Sequence, residues 1–244
     1  MLEAKFRSEV ASNLAVILSK NLLPKLLLVL LVFKCNLGAG AEPNKRTTPN
    51  VHEVARSVDR NYNNLGTLRA DFEERYQGAG ISRVESGVLW LKRPGKMRWD
   101  YLSPKQKVFI ANGKDAFFYV KGEPQARKAK LEKMDDLRSP LRYLLGKTKL
   151  EKEFDDLILL PSAPDTASFV LQGVPKMMKE RVERVQLEIT PGYAIARILI
   201  EEIGGAVTEF RFSNPAENTV VPDDKFRFTV PEGVHIIDTV EPAS

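Results

Sequence analysis

The 244-residue chain is 43% hydrophobic and carries 37 Lys and Arg against 32 Asp and Glu, which suits one large or two small globular domains and excludes a disordered chain. Much of the +5 charge lies in residues 1–41, where Lys5, Arg7, Lys20, Lys25 and Lys34 meet only Glu3 and Glu9; the near-neutral remainder lacks the clustered cations that nucleic acid binding demands. The one cysteine, Cys35, and two histidines, His52 and His235, leave the body without a disulfide, a thiolate metal site or a His cluster, so neither metal nor cofactor is expected.

Residues 22–33 form an apolar run interrupted only by Pro24 and Lys25, and it is short against the roughly 20 apolar residues a permanent span needs. Small residues follow at Gly38-Ala39-Gly40-Ala41, and Ala39 with Ala41 supplies the A-x-A pattern of signal peptidase sites. Residues 1–41 therefore read as a signal peptide cleaved near Ala41, rather than a retained anchor. Lipidation at Cys35 is disfavoured, because Phe33-Lys34 stand where small residues are wanted.

A polar, Pro- and Asn-containing lead-in occupies residues 42–50. Val51, Val54, Ala55, Val58, Tyr62 and Leu65 then keep helical spacing, with Asn50 as N-cap, and predict an amphipathic helix. Period-two patterns follow: Leu68, Ala70 and Phe72; residues 84–91; Met97, Trp99 and Tyr101; Val108 and Ile110; residues 116–120. Asn112-Gly113 suits a tight hairpin turn, and Pro94-Gly95 and Ser103-Pro104 punctuate a meander. At residues 139–146 an N-cap Ser, a Pro at the first helical position and a closing Gly predict a short helix bearing Leu141, Leu144 and Leu145. Residues 148–154 give a second, charged helix candidate. Strands resume at 157–160, 169–171, 185–189, 195–201, 208–212 and 226–230, with turns at Pro191-Gly192 and Gly204-Gly205. The expected fold is mainly β, with ten or eleven strands in one domain over residues 51–238 and a tail at 239–244. No βαβ alternation demands parallel pairing, so the sheet is predicted antiparallel throughout.

Several strands are apolar on both faces. Val88 and Trp90 point one way, Leu89 and Leu91 the other, and residues 116–120 are apolar on both sides. Two helices cannot cover so much surface, and the surplus either lines a binding cavity or closes on itself as a core; pattern alone leaves both open. Catalysis is not expected. The body has no cysteine, no Gly-x-Ser-x-Gly elbow and two distant histidines, while Glu201 and Glu202 would face opposite sides of a strand.

The string 87–99, Gly-Val-Leu-Trp-Leu-Lys-Arg-Pro-Gly-Lys-Met-Arg-Trp, resembles the central signature of LolA-type lipoprotein carriers, a strand ending in Lys-Arg-Pro followed by a strand with an Arg/Asn-Trp pair. Asn112-Gly113-Lys114 with Phe118-Tyr119, Ser139-Pro140-Leu141, Pro175-Lys176, and residues 226–234 with Asp238 extend the resemblance over residues 51–238. It departs from the pattern at Glu74, where Gln is more usual, and at Glu201, which replaces a common Asp. The resemblance implies a half-open antiparallel β-barrel with short helices as a lid over an apolar cavity. It implies a periplasmic carrier that takes acylated lipoproteins from an inner-membrane ABC-type exporter to an outer-membrane acceptor lipoprotein. Arg93 would latch the lid, Leu141, Leu144 and Leu145 would form it, and Leu89, Leu91, Met97, Trp99 and Phe118 would line the acyl-chain cavity. A monomer is expected. A carrier of another lipid or glycolipid, or an envelope-stress sensor on the same scaffold, is the alternative, because residues do not name the cargo.

Overall fold

Asn50 begins helix α1 (Val51–Asn64) through a reciprocal cap: its side chain accepts from the Glu53 amide at 3.0 Å while the Glu53 carboxylate accepts from the Asn50 amide at 3.0 Å. Val54, Ala55, Val58 and Tyr62 form its buried face, at the predicted spacing. The computed structural model describes residues 49–131, 149–161 and 167–238. The expected signal peptide, nearly all of the lead-in, the helix of Leu141, Leu144 and Leu145, most of the loop around Pro161 to Pro164 and the tail lie outside the described residues.

Strands β1 (Thr67–Gly78), β2 (Ile81–Lys92), β3 (Lys96–Ser103), β4 (Lys107–Asn112), β5 (Asp115–Val120) and β6 (Gln125–Lys130) form one antiparallel meander. After the short helix α2 (Leu150–Glu153), strands β7 (Phe154–Leu160), β8 (Phe169–Pro175), β9 (Val182–Ile189), β10 (Ile195–Glu202) and β11 (Val207–Glu217) form a second. β1 pairs antiparallel with β11, setting Phe72 beside Phe212, and this seam makes one sheet of order β12-β6-β5-β4-β3-β2-β1-β11-β10-β9-β8-β7. Among the described residues the sheet ends at β12 and β7, which do not pair with each other, so the barrel is half open as expected.

Among the described residues twelve strands form against the ten or eleven expected, and three details correct the sequence reading. β6, Gln-Ala-Arg-Lys-Ala-Lys, is too charged to read as a strand, yet it forms because β5 offers it a ladder. The strand expected at residues 226–230 is absent: a 3₁₀ turn (Asp223–Phe226) and an extended segment lie across the sheet instead of pairing within it. Finally, β12 (His235–Asp238) pairs with β6 in parallel, so the sheet is not antiparallel throughout. A parallel neighbour needs a crossover, and residues 218–234 supply it by traversing the outer face from one end of the strands to the other.

That crossing segment is a strap. Phe228 stacks on Phe117 at 5.1 Å between ring centroids, Phe226 is buried, and Lys225 Nζ lies 4.5 Å from the Trp90 ring. Asp223 joins Lys92 (2.7 Å) and Lys96 (3.1 Å), and Arg98 donates to the Lys225 carbonyl at 3.0 Å. The outward apolar residues of β2, β4 and β5 thus find their cover in the C-terminal segment. Farther along the same face, ion pairs replace it: Arg184 with Glu201, and Arg197 with Glu188 (3.0 Å) and Glu209 (3.4 Å).

Candidate functional site

Alternation along the strands sends one set of side chains to the concave face, where α1 lies. Leu68, Ala70, Phe72 and Glu74 of β1 stand opposite Leu91, Leu89, Gly87 and Glu85 of β2, and Met97, Trp99 and Tyr101 of β3 continue the rows. The face grades along the strands from aliphatic through aromatic to charged.

At the aliphatic end a hollow of about 110 Å³ opens between α1 and the sheet, lined by Tyr62, Leu68, Ala70, Leu89, Ile195, Ala196 and Phe212, with Thr190 and Glu217 at its border. The volume is somewhat below the roughly 150 Å³ that admits one benzene, so the hollow accepts a fragment of a hydrocarbon chain as it stands. Tyr62 reaches across it: its hydroxyl oxygen accepts from the Ile195 amide at 3.0 Å, and burial pushes the phenol well above its ordinary pKa. α1 is held further by Asn61, whose amide donates to the Tyr193 carbonyl (3.3 Å), and by the Asp59 carboxylate, which accepts from the Leu150 amide at 3.1 and 3.2 Å.

Leu89 lines the hollow directly. Met97 and Trp99 are buried beside it, Trp99 within an aromatic group that includes Phe72 (4.7 Å), Phe210 (5.6 Å) and Phe212 (6.2 Å). Phe118, half-buried, stands opposite Phe109 on the concave side of β5, outside the hollow's lining. Leu91 joins Leu65, Gly66 and Leu68 around a small recess that also contacts Arg93. Arg93 leaves the end of β2 with its amide bonded to the Gly66 carbonyl (2.9 Å), and its Nη2 is buried with no hydrogen-bond partner among the described residues. Desolvation pulls its pKa below the usual arginine value. A buried guanidinium donor without an acceptor is a place where an acceptor belongs.

One group went unread in the sequence. At the charged end, Tyr101 donates to Glu74 (2.8 Å), Lys107 donates to Glu85 (2.6 Å), and Arg83 contacts Glu85 at 3.0 Å and Glu74 at 3.8 Å. Glu74 and Glu85 are buried cross-strand neighbours. Desolvation, reinforced by Glu74, raises the Tyr101 phenol. The only signal was the charge at Glu74 within an otherwise apolar alternation.

What this geometry offers is a graded apolar trough. Residues 63–229 match the family model described as outer membrane lipoprotein carrier protein LolA. The chain belongs to the LolA family. An outer-membrane lipoprotein carrier protein of Nitrosospira multiformis is 30% identical over 176 residues, 71% of this chain and 83% of that one. One of Nitrosomonas europaea is 27% identical over 173 residues, covering 70% and 82%. Among solved structures, a LolA superfamily protein from Nitrosomonas europaea aligns with a TM-score of 0.43 and 12% identity over 74% of this chain and 99% of its own. The family match contains the 87–99 string and the sheet side of the hollow, begins within the last turn of α1 just after Tyr62, and ends within the strap.

Proposed function

We propose that this LolA-family chain is a periplasmic, non-catalytic carrier that shields the acyl chains of lipoproteins against its concave face, receiving them from an inner-membrane ABC-type exporter and delivering them to an outer-membrane acceptor. The observation that carries the reading is the apolar hollow between α1 and β1, β2, β10 and β11, open space lined by aliphatic and aromatic side chains within a half-open sheet. Leu89, Leu91, Met97, Trp99 and Phe118 are the floor over which tails extend once α1 gives way. Each buried methylene is worth about 0.8 kcal/mol, so a sixteen-carbon tail resists leaving a membrane by roughly 12 kcal/mol. A passive trough cannot extract it, and an energised donor is therefore part of the reading.

Arg93 is the latch. Its buried Nη2 lacks an acceptor, and carbonyls of a lid bearing Leu141, Leu144 and Leu145 would satisfy the planar fork while the charge stays fixed. Arg93→Leu should stay folded, bind a fluorescent fatty acid that lipoprotein displaces, and fail to pass lipoprotein on. Normal hand-over by this variant removes the latch, and absence of fatty-acid binding by the unaltered protein removes the carrier reading.

A further inference from the structure

The charged end of the trough has no place in the carriage of apolar tails unless it limits them. Leu68, at the hollow, and Glu74 lie six residues apart on the same face of β1, a separation of about 20 Å at roughly 3.3 Å per residue. One leaflet of a bilayer gives its tails about 15 Å, half of a hydrocarbon core of roughly 30 Å. The trough between mouth and charges is therefore about 5 Å longer than a leaflet is deep, room for an ordinary membrane tail and a few methylenes more.

The far end is built as a seal rather than a solvated rim. The Glu74 and Glu85 side chains are only 11% and 7% exposed and Lys107 is 16% exposed, so these three are held away from water, while Arg83, 47% exposed, covers both carboxylates from the solvent side. Tyr101 couples the seal to the apolar floor: its ring lies 4.9 Å from Phe72, its hydroxyl binds Glu74, and Lys107 Nζ stands 4.1 Å over its face. Gly87, between Phe72 and Tyr101 in the cross-strand row, leaves the room that the two rings occupy. Hydrocarbon driven past Phe72 would have to part Tyr101 from Glu74 or Lys107 from Glu85, stranding buried charge without its partner, a loss that the first methylene or two past the stop do not offset.

We infer that Glu74, Arg83, Glu85, Tyr101 and Lys107 form a depth stop that sets the longest acyl chain the trough accepts in full. The inference rests on the carrier reading and gives it a substrate limit. Its test is a length series, saturated fatty acids of ten to twenty carbons displacing a fluorescent fatty acid from the mature protein. Affinity should climb about fourfold per methylene and then level off near the length of common membrane tails. Replacing all four charges at once (E74L, R83L, E85L and K107L, net charge unchanged) should abolish the plateau and raise affinity for the twenty-carbon acid at least tenfold over the unaltered protein. A climb without plateau in the unaltered protein overturns the stop whether or not the variant folds, as does a folded variant that levels off at the same length. Failure to bind any acid overturns the carrier reading, and the stop with it.

Discussion

Gly87 is the residue at which the trough has least tolerance. A Cβ placed there would fall 1.9 Å from the Asp100 carbonyl oxygen and 2.9 Å from Phe72 Cε1, and the first of these is backbone that β2–β3 pairing holds in register. Gly87→Ala should therefore lower stability by about 1–3 kcal/mol through overpacking, despite the gain in strand propensity that Ala offers over Gly. Urea unfolding measures it as a lower midpoint at unchanged slope; an unmoved midpoint would mean that the strand pair separates freely at this position. At this scale the sequence was informative about identity and silent about partnership. Strand alternation sets Leu89 with Leu91 on one face of β2 and Met97 with Trp99 on one face of β3, but not which face is concave; the pairing of β1, β2 and β3 decides that. That Glu74 would meet Tyr101, and Glu85 would meet Lys107, depends on which strands become neighbours and in what register, which single positions do not encode.

At the scale of elements, the strap shows why alternation misleads. Phe226, Phe228 and Val230 alternate as a strand does, because an extended segment lying flat on a sheet also presents every second side chain to it. Its backbone, however, stays out of the ladder. β6 errs the other way, since its alanines at 126 and 129, three residues apart, fall on opposite faces and leave no alternation to read among Arg and Lys. The hydrogen bonds of β5 supply what its composition lacks. One tie of the strap is electrostatic and gives it a pH dependence. Hydrogen bonds from Lys92 and then Lys96, with their charges, hold the Asp223 carboxyl below its ordinary pKa. A depressed folded pKa means the unfolded chain binds the proton more readily, so the tie stabilises fully above the ordinary Asp value near 4 and fades as pH falls through the lower folded value. Asp223 is exposed, so the effect is small and screened by salt. Asp223→Asn should be less stable than the unaltered protein at pH 6, with the difference shrinking as chemical unfolding is repeated down to pH 3. A difference constant across that range would show that the charge on Asp223 adds nothing to the strap's hold.

For the whole molecule, the central tension is between a hollow of about 110 Å³ and tails many times larger than one ring. Sequence pattern left open whether the surplus apolar surface would line a cavity or fill a core, and the structure divides it. The outward surplus on β2, β4 and β5 is covered by the strap, and the inward surplus is mostly filled by α1. Something must move for cargo to enter. The sheet is a poor candidate, because β1 is paired along its length with β2 on one side and β11 on the other. α1 is the better one: beyond its apolar face it is held by side-chain ties rather than by a ladder, among them Tyr62 to Ile195, Asn61 to Tyr193, Asp59 to Leu150 and His52 to Glu151. Amides opened by such a motion exchange faster with solvent, while those in undisturbed ladders keep their protection. Saturating the protein with a fatty acid should therefore speed hydrogen exchange across Val51–Asn64 at least tenfold and leave β1 and β2 unchanged. Faster exchange in the strands with a protected α1 would put the opening in the sheet instead, and the floor of Leu89, Met97 and Trp99 would then be core rather than a surface for cargo.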